Sequence, residues 1–183
     1  MKSTTTILLA LLASLARASF FRRQTSSGPS DTYLNSVCSP NVTSSGTVPP
    51  CVSIVNIQTA CQPNGTTPLN YLAHAECLCD APSSFFADWI GCRECLYVHG
   101  GLTQQELNQY SAVISAASTS LCTGTPTAPF PSIFASAGTA GASVTSGATT
   151  SSDQYPSQSA VSLYYTASGS QGPGAITGSF FVK

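Results

Sequence analysis

Charged side chains make up only 7% of this 183-residue chain, and basic ones nearly vanish beyond its first 23 residues. Lys2, Arg17, Arg22 and Arg23 supply four of the six lysines and arginines, leaving Arg93 and Lys183 to face all seven carboxylates. From Gln24 onward the balance is two minus seven, or −5, which the −1 of the whole chain conceals. A surface this poor in cations has almost nothing with which to neutralise phosphates, so neither nucleic acid nor an anionic membrane is expected as a partner. Long apolar runs are missing as well. The run from Ile7 to Leu15 is shorter than the roughly 20 residues of a spanning helix, and no later segment reaches that length. The stretch Gly172–Lys183 also lacks the apolar tail of about 10–20 residues that a lipid-anchor signal requires, so the chain as written is expected to be released rather than anchored in a membrane.

Chemistry-bearing residues are equally sparse. Histidine occurs only at positions 74 and 99, and neither lies in a recognisable nucleophile–base–orienter motif. Glu76 and Asp80, four apart on one helical face, read as solvated carboxylates rather than a catalytic pair. His99, beside the Gly100-Gly101 stop, reads as a residue favourable to a helix C-terminus. No enzyme activity and no metal site are expected.

What the chain does contain is cysteine, confined to one region. All eight lie between Cys38 and Cys122: Cys38, Cys51, Cys61, Cys77, Cys79, Cys92, Cys95 and Cys122. Upstream, Lys2, the apolar run and Ala16-Arg17-Ala18 have the layout of an export signal cleaved after Ala18. Arg22-Arg23 is a candidate for further processing after residue 23. Export into an oxidising compartment favours disulfides over thiolates and zinc. Eight cysteines permit on the order of a hundred pairings, and helix geometry constrains only two cases. Cys77 and Cys79 point about 200° apart on a helix and should join different neighbours. Cys92 and Cys95 share a face and can staple their helix to two partners. Their C-x-x-C spacing resembles a redox motif, but reactive cysteines of that type sit at a helix N-terminus, and this pair lies well inside one.

The cysteine region reads as all-α, with about four helices. Phe85, Trp89, Cys92 and Leu96 recur on one face of a helix spanning about 84 to 98, which Gly100-Gly101 ends. Thr103-Gln-Gln-Glu106 has the spacing of a capping box; Leu107, Tyr110, Ile114, Ala117 and Leu121 follow on one stripe up to Cys122. Cys51, Ile54, Val55 and Cys61 fit a shorter helix, and Thr67-Pro68 starts another. The core of so small a domain is modest. Four disulfides at about 2–4 kcal/mol each add about 8–16 kcal/mol, as much as the net stability of an ordinary domain.

Composition therefore divides the chain into a signal peptide at 1–18, a polar flexible segment at 24–37, a disulfide-stapled helical domain at 38–122 and a low-complexity tail at 123–183. The tail has 21 Ser or Thr among 61 residues, too little apolar bulk to offset chain entropy, so it reads as extended and O-glycosylated. Within it, Ala160–Tyr165 has the pattern of a strand. Asn41-Val-Thr43 and Asn64-Gly-Thr66 are N-glycosylation sequons in loop-like settings.

The helical eight-cysteine module, matched from Cys51 to about Cys122, with its Cys77-x-Cys79 element, the Ser/Thr-rich tail and the leader, resembles the small cysteine-rich secreted proteins of filamentous fungi, and in style CFEM domains. Some CFEM proteins bind haem through an aspartate three residues before their Cys-x-Cys element; here that position is His74, itself an iron-ligating residue type. The intervals from Cys38 through Cys61 are longer than the family's, and Cys92-x-x-Cys95 has no counterpart in it. Two expectations follow. The first is a secreted, non-enzymatic glycoprotein whose partner is a cell-wall polymer, a host surface or another extracellular protein. The alternative is a carrier of haem or lipid, with a pocket near Tyr71, His74, Phe85, Phe86 and Trp89, aromatics that serve equally well as plain core.

Overall fold

The computed structural model describes residues 28–41, 47–140 and 144–175; the leader and the Arg22-Arg23 pair lie outside them. Among the described residues there are six α-helices and no strand: α1 (Asp31–Cys38), α2 (Pro50–Ala60), α3 (Pro68–Cys79), α4 (Phe85–Val98), α5 (Gln104–Cys122) and α6 (Phe130–Thr139). The all-α, disulfide-stapled fold read from the sequence is the observed one.

Local chemistry explains most boundaries. Thr67 caps α3, its hydroxyl accepting from the Asn70 N–H, with Pro68 at the first helical position. Thr103 and Glu106 form the full capping box of α5. At the end of α4 the chain turns through Gly100, whose φ of +71° favours glycine, and the Gly101 N–H reaches back to the Leu96 carbonyl at 2.6 Å.

Helix α4 is central: α1, α2, α3 and α5 all pack against it, and α5 also contacts α3 and α6. Three of the disulfides follow this plan and one adds a tie between α2 and α3. Cys38–Cys95 ties α1 to α4, Cys51–Cys92 ties α2 to α4, Cys61–Cys77 ties the end of α2 to α3, and Cys79–Cys122 ties α3 to α5. Cys77 and Cys79 thus take different partners, as do Cys92 and Cys95. Cys38, Cys61, Cys77, Cys92 and Cys95 are buried within the apolar core alongside Ile57, Leu78, Phe85, Trp89, Leu96, Ala117 and Leu121.

Three readings of the sequence need correction. The segment 24–37 is not wholly loose: Ser30 caps α1, and Leu34 and Val37 are buried. Nor is 123–175 simply extended. Phe130 is 0% exposed, α6 lies on α5, and the chain beyond residue 144 folds back over the body. Ser/Thr-rich composition concealed this because a few large side chains suffice. Finally, Ala160–Tyr165 forms no strand. Val161–Leu163 is a single 3-10 turn, since no strand among the described residues offers it a ladder.

Candidate functional site

Four polar sites are built into the helical body, and each is defined by what its side chains already hold.

His74 lies on the inner face of α3 at 4% exposure. Its Nδ1 is 2.6 Å from the Cys61 carbonyl, and its Nε2 accepts the Phe130 N–H at 3.0 Å. A backbone N–H must donate, so Nε2 carries the lone pair and Nδ1 the proton. Burial lowers the pKa of His74 from its ordinary value, and the bond to Cys61 only partly offsets this. Iron ligation needs the very lone pair that Phe130 occupies. The haem-ligand expectation for His74 therefore does not fit the residues present.

The aromatic partners proposed for that pocket do not converge on it. Phe85, Phe86 and Phe130 stack edge to face, with ring centres 5.0 Å apart for Phe85–Phe130 and 5.1 Å for Phe85–Phe86. Trp89 packs on Phe134 at 5.1 Å. Phe85 and Trp89 are core residues, 0% and 1% exposed. Of the four residues His74, Phe85, Phe86 and Trp89, only His74 borders the open groove of about 400 Å³ that runs along α2 to Pro129 and Pro131.

Asp88, fully buried on α4, is the second site. One carboxylate oxygen accepts from Ser53 (2.6 Å) and Ser84 (2.7 Å), the other from Tyr165 (2.5 Å) and Gln171 (2.9 Å). Two of these donors come from α2 and the N-cap of α4, and two from the tail. Burial and the bond to Asp88 push the Tyr165 hydroxyl above its usual range. Gly91 makes the approach possible, because a Cβ there would overlap the Tyr165 ring. A carboxylate with four donors is satisfied, and its work is to hold the tail down.

His99 and Asp153 form the third site. His99 Nδ1 lies 3.2 Å from Asp153 Oδ1, while Tyr33 donates to the other carboxylate oxygen. Burial alone would raise Asp153, but hydrogen bonds from Tyr33, the Tyr155 N–H and His99 outweigh it and hold the carboxyl below its ordinary value. The pair has the form of a base and its orienter. However, His99 Nε2 is buried without a hydrogen-bond partner among the described residues, so none of them stands as a nucleophile where the base would act.

The fourth site is Arg93, which sequence reading passed over as an ordinary charge. It is 3% exposed, and its guanidinium carbon lies 4.4 Å from the Trp89 ring centre and 4.8 Å from that of Tyr110. The available signal was a lone cation four residues after a tryptophan on an apolar helix.

Both sequon asparagines, Asn41 and Asn64, are exposed, as is Thr66; Thr43 lies outside the described residues. Among the described residues no cluster of three or more His, Cys, Asp or Glu could hold a metal, and no helix is long and apolar enough to cross a membrane. No protein-family model, curated protein or solved structure matches the chain.

Proposed function

We propose that this is a secreted, non-enzymatic, cysteine-rich glycoprotein that works by contact at a cell wall, a host surface or another extracellular protein, in the manner of the fungal secreted proteins it resembles. The observation that carries this reading is the distribution of the disulfides. Four bonds among five helices brace a small helical body, and such bonds persist in oxidising surroundings. The exposed Asn41 and Asn64 side chains are accessible to the glycosylation machinery. The buried polar groups also favour a contact role over a chemical one: His74 and Asp88 spend their hydrogen bonds on the fold itself.

Purified protein incubated with isolated wall glucan, chitin or host extracellular matrix should be retained on at least one of them and released by excess soluble polymer. Retention on none, together with turnover of a substrate, would contradict the proposal. Endoglycosidase treatment of secreted material should increase its gel mobility, and Asn64→Gln should remove part of that shift.

A further inference from the structure

Among the described residues, Arg93 is a buried cation without an anion. All seven carboxylate side chains of the chain lie among the described residues, and none comes within 4.0 Å of Arg93. Its Nε–H is buried without an acceptor among the described residues. Two aromatic rings attract the guanidinium, but rings do not satisfy N–H groups, and a buried charge lacking a counter-ion is costly. An apolar side chain would fill the same space without that cost.

The space around Arg93 suggests the missing partner. A partly enclosed cavity of about 120 Å³ between α2 and α4 is lined by Arg93, Trp89, Ile54 and the Cys51–Cys92 pair, with Ser39 and Gln58 as its polar members. Val55 and Gln58 border both this cavity and the 400 Å³ groove that continues past Pro63 to Pro129 and Pro131. Val55, 57% exposed, places an apolar side chain where the cavity and the groove meet. One charged end, an apolar cavity and an apolar groove beyond it match a molecule with a carboxylate at one end and a hydrocarbon chain at the other. The flat guanidinium fork fits a carboxylate in particular, because two parallel N–H groups meet its two oxygens.

We propose that Arg93 and the outer face of α2 form a binding site for a linear aliphatic monocarboxylate. The carboxylate pairs with Arg93 beside Trp89, and the chain leaves over Val55 into the groove. This site is independent of the contact role proposed above.

Trp89 is the only tryptophan, and it lies against Arg93, so its emission reports occupancy directly. The protein is titrated with decanoate and with decan-1-ol, and retention of each labelled compound is measured by equilibrium dialysis. Decanoate should bind at least about tenfold more tightly than the alcohol, the factor expected from a charge-assisted bond. From hexanoate to decanoate, affinity should rise roughly two- to fourfold per added methylene. Arg93→Met should abolish the preference for the acid. Val55→Asp, at an exposed position, should weaken decanoate by about tenfold or more through repulsion and lost apolar contact. Equal binding of acid and alcohol, no retention of decanoate in dialysis, or decanoate binding unchanged in Val55→Asp would each overturn the proposal.

Discussion

The helical body from Cys38 to Cys122 and the chain that follows it are held by different forces. In the body every cysteine is paired, and three of the four disulfides join helices that also pack against each other, while the fourth, Cys61–Cys77, ties the end of α2 to α3. The following segment contains no cysteine. It is fastened at separate points: Phe130 enters the core, the Phe130 N–H meets His74, Asp153 meets His99 and Tyr33, and Tyr165 and Gln171 reach Asp88. At its far end the Gly174 N–H bonds the Cys77 carbonyl at 2.8 Å, near the end of α3. A covalent brace acts chiefly by restricting the unfolded chain and is indifferent to pH. Point fastening depends on each buried group, so it can be undone locally and reversibly. The body is therefore a scaffold, and the tail is a strap that folds onto it.

Four experiments sharpen or break this contrast. The largest effect should come from reduction. Opening the four disulfides removes about 8–16 kcal/mol, and both regions should unfold together, read as loss of helical circular dichroism in reductant. A reduced chain that keeps its helices would show that packing alone sustains the body.

Next is Phe130→Ala, which empties a fully buried site and should cost about 3–5 kcal/mol. Its effect should fall mainly on the strap. Limited proteolysis should cut around α6 while the four disulfides and helices α2–α5 persist. Equal sensitivity throughout would mean that the two regions form one cooperative unit.

Asp88→Ala leaves four donors without their acceptor and should cost about 3 kcal/mol or more. Hydrogen exchange should rise near Tyr165 and Gln171 before it rises in α1 or α5. Asp88→Asn, which keeps an acceptor oxygen and the side chain's shape, should be milder.

The smallest effect should be the response to acid. The folded-state pKa of His74 lies below its ordinary 6.5 because of burial. Its contribution is therefore complete above that value and is lost as pH falls through the folded pKa, when a protonated Nε2 can no longer accept the Phe130 N–H. After correction for intrinsic rates, the Phe130 amide should exchange faster as pH drops below about 6.5. His74→Gln should flatten this dependence. Asp153, held below its ordinary 3.8, adds a second release at lower pH by the same rule for a depressed carboxylate.

The same contrast explains what was legible in the sequence. Helices α2 to α5 carry their own evidence in apolar spacing, the Thr67-Pro68 start and the Thr103–Glu106 box, because helix periodicity and capping are local properties. The disulfide partners of Cys77 and Cys79 were distinguishable by direction, though not identifiable. Helix α1 has only two buried apolar side chains before its cysteine, Leu34 and Val37, among polar residues. Helix α6 does show Phe130, Ile133, Phe134 and Ala137 at helical spacing, diluted by serine and proline nearby. The strap was illegible for a different reason. Tyr165 and Gln171 meet Asp88 across 77 and 83 positions of sequence, and no local pattern encodes a partner so distant. Arg93 was overlooked because a charge count treats every cation as solvated.

The most direct test of the covalent scaffold is a disulfide map of the protein, obtained by mass spectrometry of a non-reduced digest with free thiols blocked before purification. The account predicts Cys38–Cys95, Cys51–Cys92, Cys61–Cys77 and Cys79–Cys122, with no blocked thiol. Free thiols at Cys92 or Cys95, or either of them joined to a cysteine other than these partners, would contradict it.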